Sequence, residues 1–86
     1  TLKYMIQQMR SVPALDGAAM LHLNNLRKHC VEQGIALVLC GVQEQPMRAM
    51  KRYGLVKALG EDNICCNLVA AADRVKALDA KNSAAE

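Results

Sequence analysis

The sequence has no tryptophan, no phenylalanine and only two tyrosines in 86 residues. An aromatic core is excluded, so Leu, Val, Ile, Met, Ala and Cys must fill the interior. No apolar run approaches the length of a membrane span, and no signal-peptide pattern opens the chain. The expectation is a soluble piece, whatever larger protein it belongs to. A dense basic stripe is also missing. The formal net charge of +3 suits weak attraction to acidic partners or lipid headgroups, and it argues against a nucleic-acid binder. No C-x-x-C occurs among Cys30, Cys40, Cys65 and Cys66. Two of the four are adjacent, and Cys40 lies in an apolar run, the pattern of reduced cysteines used as small hydrophobes in a reducing compartment. The length allows one small domain, near the lower limit for a core that folds alone.

What is present is an alternation of apolar runs and amphipathic stretches. Leu2, Tyr4, Met5, Ile6 and Met9 read as a first strand, ended by Pro13, which has no N–H for a ladder. Asp16 is placed to cap a helix over 17–33, with Met20, Leu23, Leu26 and Cys30 at helical spacing and Gly34 as its stop. Ile35-Ala36-Leu37-Val38-Leu39-Cys40 is apolar on both faces, as expected of the central strand of a parallel sheet. Residues 41–45 form the next turn, and Pro46 suits the first position of a second helix ending at Gly54. On that helix Met47 and Met50 face inward, while Arg48, Lys51 and Arg52 face out. Residues 55–59 add a helical turn, Asn63-Ile64-Cys65-Cys66 a short strand, and Asn67 caps a last helix with a stripe of Leu68, Ala71, Ala72, Val75 and Leu78. Residues 81–86 read as a frayed polar tail. Strand–helix–strand–helix–strand–helix order argues for an α/β fold, a mostly parallel sheet with helical crossovers.

Chemistry-bearing residues are few. His22 and His29 are seven apart, with no acid or nucleophile patterned around them, so solvated or core-edge histidines are expected. Cys65 and Cys66 alternate across a strand and point to opposite faces; packing is the plainer reading, a thiol-redox or metal site the sharper one. Asp16 is either a plain N-cap or the edge of a docking surface, where the N–H groups of Gly17 and Ala18 face a partner and the 41–45 turn lies alongside. Arg48, Lys51 and Arg52, with Lys57 nearby, are either a solvated face or a seat for an acidic partner.

Four stretches together resemble a STAS domain, the module shared by SulP-type anion transporters and bacterial anti-anti-sigma factors. They are the entry Val12-Pro13-Ala14-Leu15-Asp16, the run Gly34-Ile35-Ala36-Leu37-Val38-Leu39-Cys40-Gly41-Val42, Tyr53-Gly54-Leu55 with Leu59-Gly60, and the short strand followed by an Ala-rich helix. The resemblance implies the STAS fold over residues 1–80, trimmed of the additional N-terminal strands with which the family normally begins. Free-standing anti-anti-sigma factors carry a phosphorylatable Ser or Thr directly after the Asp. Here Gly17, Ala18 and Ala19 follow it, and no phosphate can be attached there.

The transporter branch therefore fits better. It implies a non-enzymatic regulatory domain, without cofactor, at the cytoplasmic face of a membrane, as in the inner membrane of a bacterium. The alternative is a free-standing interaction protein of the anti-anti-sigma type. Asp16, Gly17, Ala18, Gly41, Gln43, Glu44, Arg48, Lys51 and Arg52 are the candidate partner- or anion-binding residues. The partners implied are the transmembrane portion of the same transporter and, beyond it, a small acidic cytosolic protein, a nucleotide or anionic lipid headgroups.

Overall fold

The structure, a computed structural model, describes residues 3–85, with side chains over 3–81. Leu2, counted above in the first strand, lies outside the described residues. In chain order the elements are β1 (Lys3–Gln8), α1 (Gly17–Glu32), β2 (Ile35–Cys40), α2 (Glu44–Tyr53), α3 (Leu55–Leu59), a 3-10 turn (Glu61–Asn63), β3 (Ile64–Cys65) and α4 (Leu68–Ala85). The three strands form one parallel sheet in the order β1-β2-β3, the α/β architecture that the sequence implies.

The central strand organises the packing, because successive side chains of a strand point to opposite faces. Leu37 and Leu39 join Met20, Leu23 and Cys30 of α1, Met50 of α2, and Leu55 and Val56 of α3 in the larger core. Val38 and Cys40 point the other way, onto Ala71, Val75 and Leu78 of α4. Val38, Leu39 and Cys40 are wholly buried. Burying side chains such as Val38 and Leu39 stabilises the fold by roughly 1.5–3 kcal/mol each. By contrast β1 lies at an edge. Its register sets Met5 beside Leu37 on the α1 face, while Tyr4, on the α4 side, donates its hydroxyl to Asp79 Oδ1 at 3.2 Å.

Several boundaries differ from those expected. β1 ends at Gln8, well before Pro13. The Met9 N–H adds one more bond, to the Cys40 carbonyl at 2.8 Å, and the chain then turns, with Val12 N–H donating to Met9 O at 3.1 Å. That turn, not the proline, stops the ladder. Pro46 is the third residue of α2, since the helix opens at Glu44 and takes in two residues assigned to the turn. The first four N–H groups of a helix have no partner within it, so proline is tolerated here as at the first position. Asn63 belongs to the 3-10 turn and β3 keeps only two residues. Leu68 is exposed although the stripe placed it inward. α4 continues to Ala85, through residues read as a frayed tail; Ala80, Ala84 and Ala85 favour helix over coil.

Candidate functional site

The site is built on the carboxyl side of β1 and β2, where the chain enters α1 and α2. Asp16 has extended backbone, and its Oδ1 accepts from Ala19 N–H at 2.8 Å, so it is the N-cap of α1. The loop before it is anchored from across the site: Leu15 is buried and its N–H donates to Gln45 Oε1 of α2 at 2.8 Å. This bond fixes the approach of the 9–16 loop to α2. Gly17 and Ala18 are exposed on the first turn. A Cβ placed on Gly17 would meet nothing within 4 Å, so the space over that turn is open.

Between α1 and α2 lies a recess of about 300 Å³. Leu15, Met20 and Ala49 supply its apolar lining, and Asp16, Gly17, Arg52 and Tyr53 its polar part. Arg52 and half-exposed Tyr53 thus share one depression with the capped end of α1. A guanidinium, a phenol and backbone donors around an apolar floor can hold a side chain or headgroup that is anionic at one end and apolar at the other.

The other candidate residues are distributed differently. Gly41 has φ +71°, and a Cβ there would stand 2.7 Å from Gln8 Oε1 and 3.3 Å from Arg10. Only glycine lets the exits of β1 and β2 pass so closely. Gln8 Oε1 in turn accepts from Arg10 N–H at 3.2 Å, and Gln43 donates its side-chain amide to the Arg10 carbonyl. Gly41 and Gln43 therefore brace the β1 exit loop and do not line the recess. Glu44 and Arg48 pair with each other at 2.9 Å along α2, both exposed, a contact between solvated groups that contributes little. Lys51 lies over a separate depression beside Met47, Val56, Glu61 and Ile64. The sequence-derived set thus divides, and only Asp16, Gly17 and Arg52 meet in one recess.

Tyr53 and Gln45 are not among the candidate residues, although Tyr53 stands in one of the family-like stretches and Gln45 in the turn placed beside Asp16. Tyr53, one of two aromatic residues and placed just before Gly54, was available as a signal; Gln45 had none, because its role depends on the path of the 9–16 loop. Among the described residues no group of three His, Cys, Asp or Glu side chains is placed to hold a metal ion, and no helix is long and apolar enough to cross a membrane. His22 and His29 are exposed.

Among curated proteins, none matches the chain. Among solved structures, a sulfate transporter family protein from Wolinella succinogenes superposes with a TM-score of 0.84 at 33% sequence identity. The match covers 88% of this chain and 62% of that one, so the chain spans less than two thirds of that neighbour. The family profile of the STAS domain matches residues 1–72. With a parallel βαβαβα core, a capped α1 entry and this match over most of its length, the chain belongs to the STAS domain family.

Proposed function

We propose that this STAS domain is the regulatory and interaction module of a SulP-type secondary transporter for sulfate or a related anion. It works by docking, without catalysis of its own, at the cytoplasmic face of the membrane. The observation that carries the reading is the 33% identity to a sulfate transporter family protein over 88% of the chain. The α1 entry supports it. Residues 16–20 contain no Ser or Thr, so the covalent phosphate switch that a free-standing family member would place there has no acceptor.

In this reading the recess between α1 and α2 receives a segment of the transporter's transmembrane portion. Arg52 and the open first turn of α1 favour an acidic group, and Leu15, Met20 and Ala49 an apolar one. The exposed cations Lys51 and Lys57 would favour an acidic cytosolic protein, a nucleotide or anionic headgroups as further partners. The reading frame upstream of Thr1 provides the test. A multi-span apolar region in frame is the expected result, and a start codon within a few tens of residues, with no such region, would overturn the assignment.

A further inference from the structure

Three of the four cysteines gather at the carboxyl end of the sheet, and none of them lines the α1–α2 recess. Cys40 closes β2, Cys65 closes β3, and the parallel register sets them opposite one another. They share a face as well. Cys40 is wholly buried, and half-buried Cys65 packs into the same cluster with Val38 and Ala71. The Gly41 N–H donates to the Cys65 carbonyl at 3.0 Å, so the two strand ends are hydrogen-bonded where the cysteines stand. Adjacent strands lie about 4.8 Å apart, within the Cα separation of roughly 4.4–6.8 Å that a disulfide spans; closure turns the Cys40 thiol from Gln8 Oε1, 3.5 Å away, and the Cys65 thiol from the Asp62 carbonyl, 3.8 Å away. All four thiols are free, and Cys66, just past β3, is exposed.

We propose that Cys40 and Cys65 are a redox pair, which a hydroperoxide converts to a disulfide joining β2 to β3. Cys65 is the thiol that meets the oxidant, because Cys40 has no exposed surface. The Cys65 thiolate attacks the terminal peroxide oxygen and the O–O bond breaks. The leaving alkoxide takes up a proton to become the alcohol, and Cys65 is left as a sulfenic acid. The Cys40 sulfur then attacks the Cys65 sulfur. The S–S bond forms, the S–O bond breaks, and hydroxide leaves with the Cys40 proton as water. Two thiols are oxidised, and one hydroperoxide is reduced to alcohol and water.

The product ties a strand of only two residues to the most buried strand of the fold, immediately before the start of α4. Burial first, and then neighbouring Cys66, push the Cys65 thiol above its ordinary value; the Arg74 guanidinium opposes them, and Cys40 and Asp62 add smaller upward pushes. The thiolate is therefore scarce at neutral pH, and the pair responds to sustained oxidant more than to brief pulses. Its rate of closure rises with pH towards the Cys65 thiol's pKa.

The experiment treats the native chain and its Cys66→Ser and Cys65→Ser variants with hydrogen peroxide at two pH values, caps remaining thiols, and maps tryptic peptides by mass without reduction. In Cys66→Ser the expected result is loss of two hydrogens per chain, with fragmentation placing the link between Cys40 and Cys65, faster at the higher pH and reversed by dithiothreitol. Cys65→Ser should form no link within the monomer. The same two-hydrogen loss in Cys65→Ser, or intact thiols in Cys66→Ser under conditions that oxidise Cys66 of the native chain, would overturn the proposal.

Discussion

Asp16 shows how much one side chain can settle. Its carboxylate satisfies a first-turn donor of α1 and also stands at the recess that Arg52 and Tyr53 share. Asp16→Ala should lower the unfolding free energy by about 0.5–2 kcal/mol, the usual range for losing an N-cap, as read by urea unfolding of the isolated chain. Gly41 makes a stronger demand. Gly41→Ala forces a non-glycine residue into left-handed backbone and sets its methyl against Gln8, so a loss of roughly 1–3 kcal/mol is expected. A wild-type urea midpoint would show that the exits of β1 and β2 can separate without loss. Asp16 was legible as a cap because the signal is local, a short acid between a loop and an amphipathic run. The role of Gly41 was not, since the atoms that require glycine there, on Gln8 and Arg10, come from another strand. The two prolines misled for a related reason: each sits where its chemistry is tolerated, while a backbone turn and a helix start placed elsewhere fix the boundaries.

At the scale of elements, β2 read correctly to the residue because a run apolar at every position has one comfortable place, with both faces covered. β1 read less well, since its burial depends on what lies beside it. Among the described residues it has a hydrogen-bonded neighbour on one side only, and Ile6 on it is partly exposed. Past the end of that strand lies an apolar groove of about 360 Å³, where Met9, Val12 and Leu15 of the following loop meet Leu23 and Leu26 of α1. An open edge beside apolar surface recruits other chains. The isolated chain is therefore expected to associate with rising concentration in sedimentation velocity. A single monomeric species across a hundredfold concentration range would show that the edge is inert. Helix α4 gave the opposite lesson: its stripe predicted Ala71, Val75 and Leu78 correctly, yet Leu68 points to solvent because β3 is too short to extend the sheet beneath it.

For the whole molecule, element order was enough to specify a parallel α/β fold, whereas the candidate site was only partly legible. Arg48, Lys51 and Arg52 are close in sequence, but successive helical residues point about 100° apart, so Arg52 shares the α1 recess and Lys51 a different depression. Which cation belongs to which surface is set by tertiary placement, and spacing along one helix cannot supply it. If the recess is the docking surface of a transporter, Arg52→Ala in the parent protein should reduce sulfate uptake several-fold at unchanged abundance, while Arg48→Ala, which only breaks an exposed pair along α2, should leave it intact. Uptake assays normalised to protein level would separate the two, and equal uptake in both variants would remove Arg52 from the surface.

The register of the sheet also dictates how the chain must fold. Lys3 pairs with Ile35 and Gln8 with Cys40, while Leu39 pairs with Ile64, so each pairing joins successive strands through residues far apart in sequence. No hydrogen bond between these three strands can form until a loop carrying a whole helix has closed, an entropic cost met before any contact repays it. During synthesis α1 can form before β2 is available to pair with β1, and β2, the most apolar segment, emerges before β3 and α4 exist to cover its second face. For that interval Val38 and Cys40 face water, and the nascent chain is at its most vulnerable to association between the emergence of β2 and the arrival of α4.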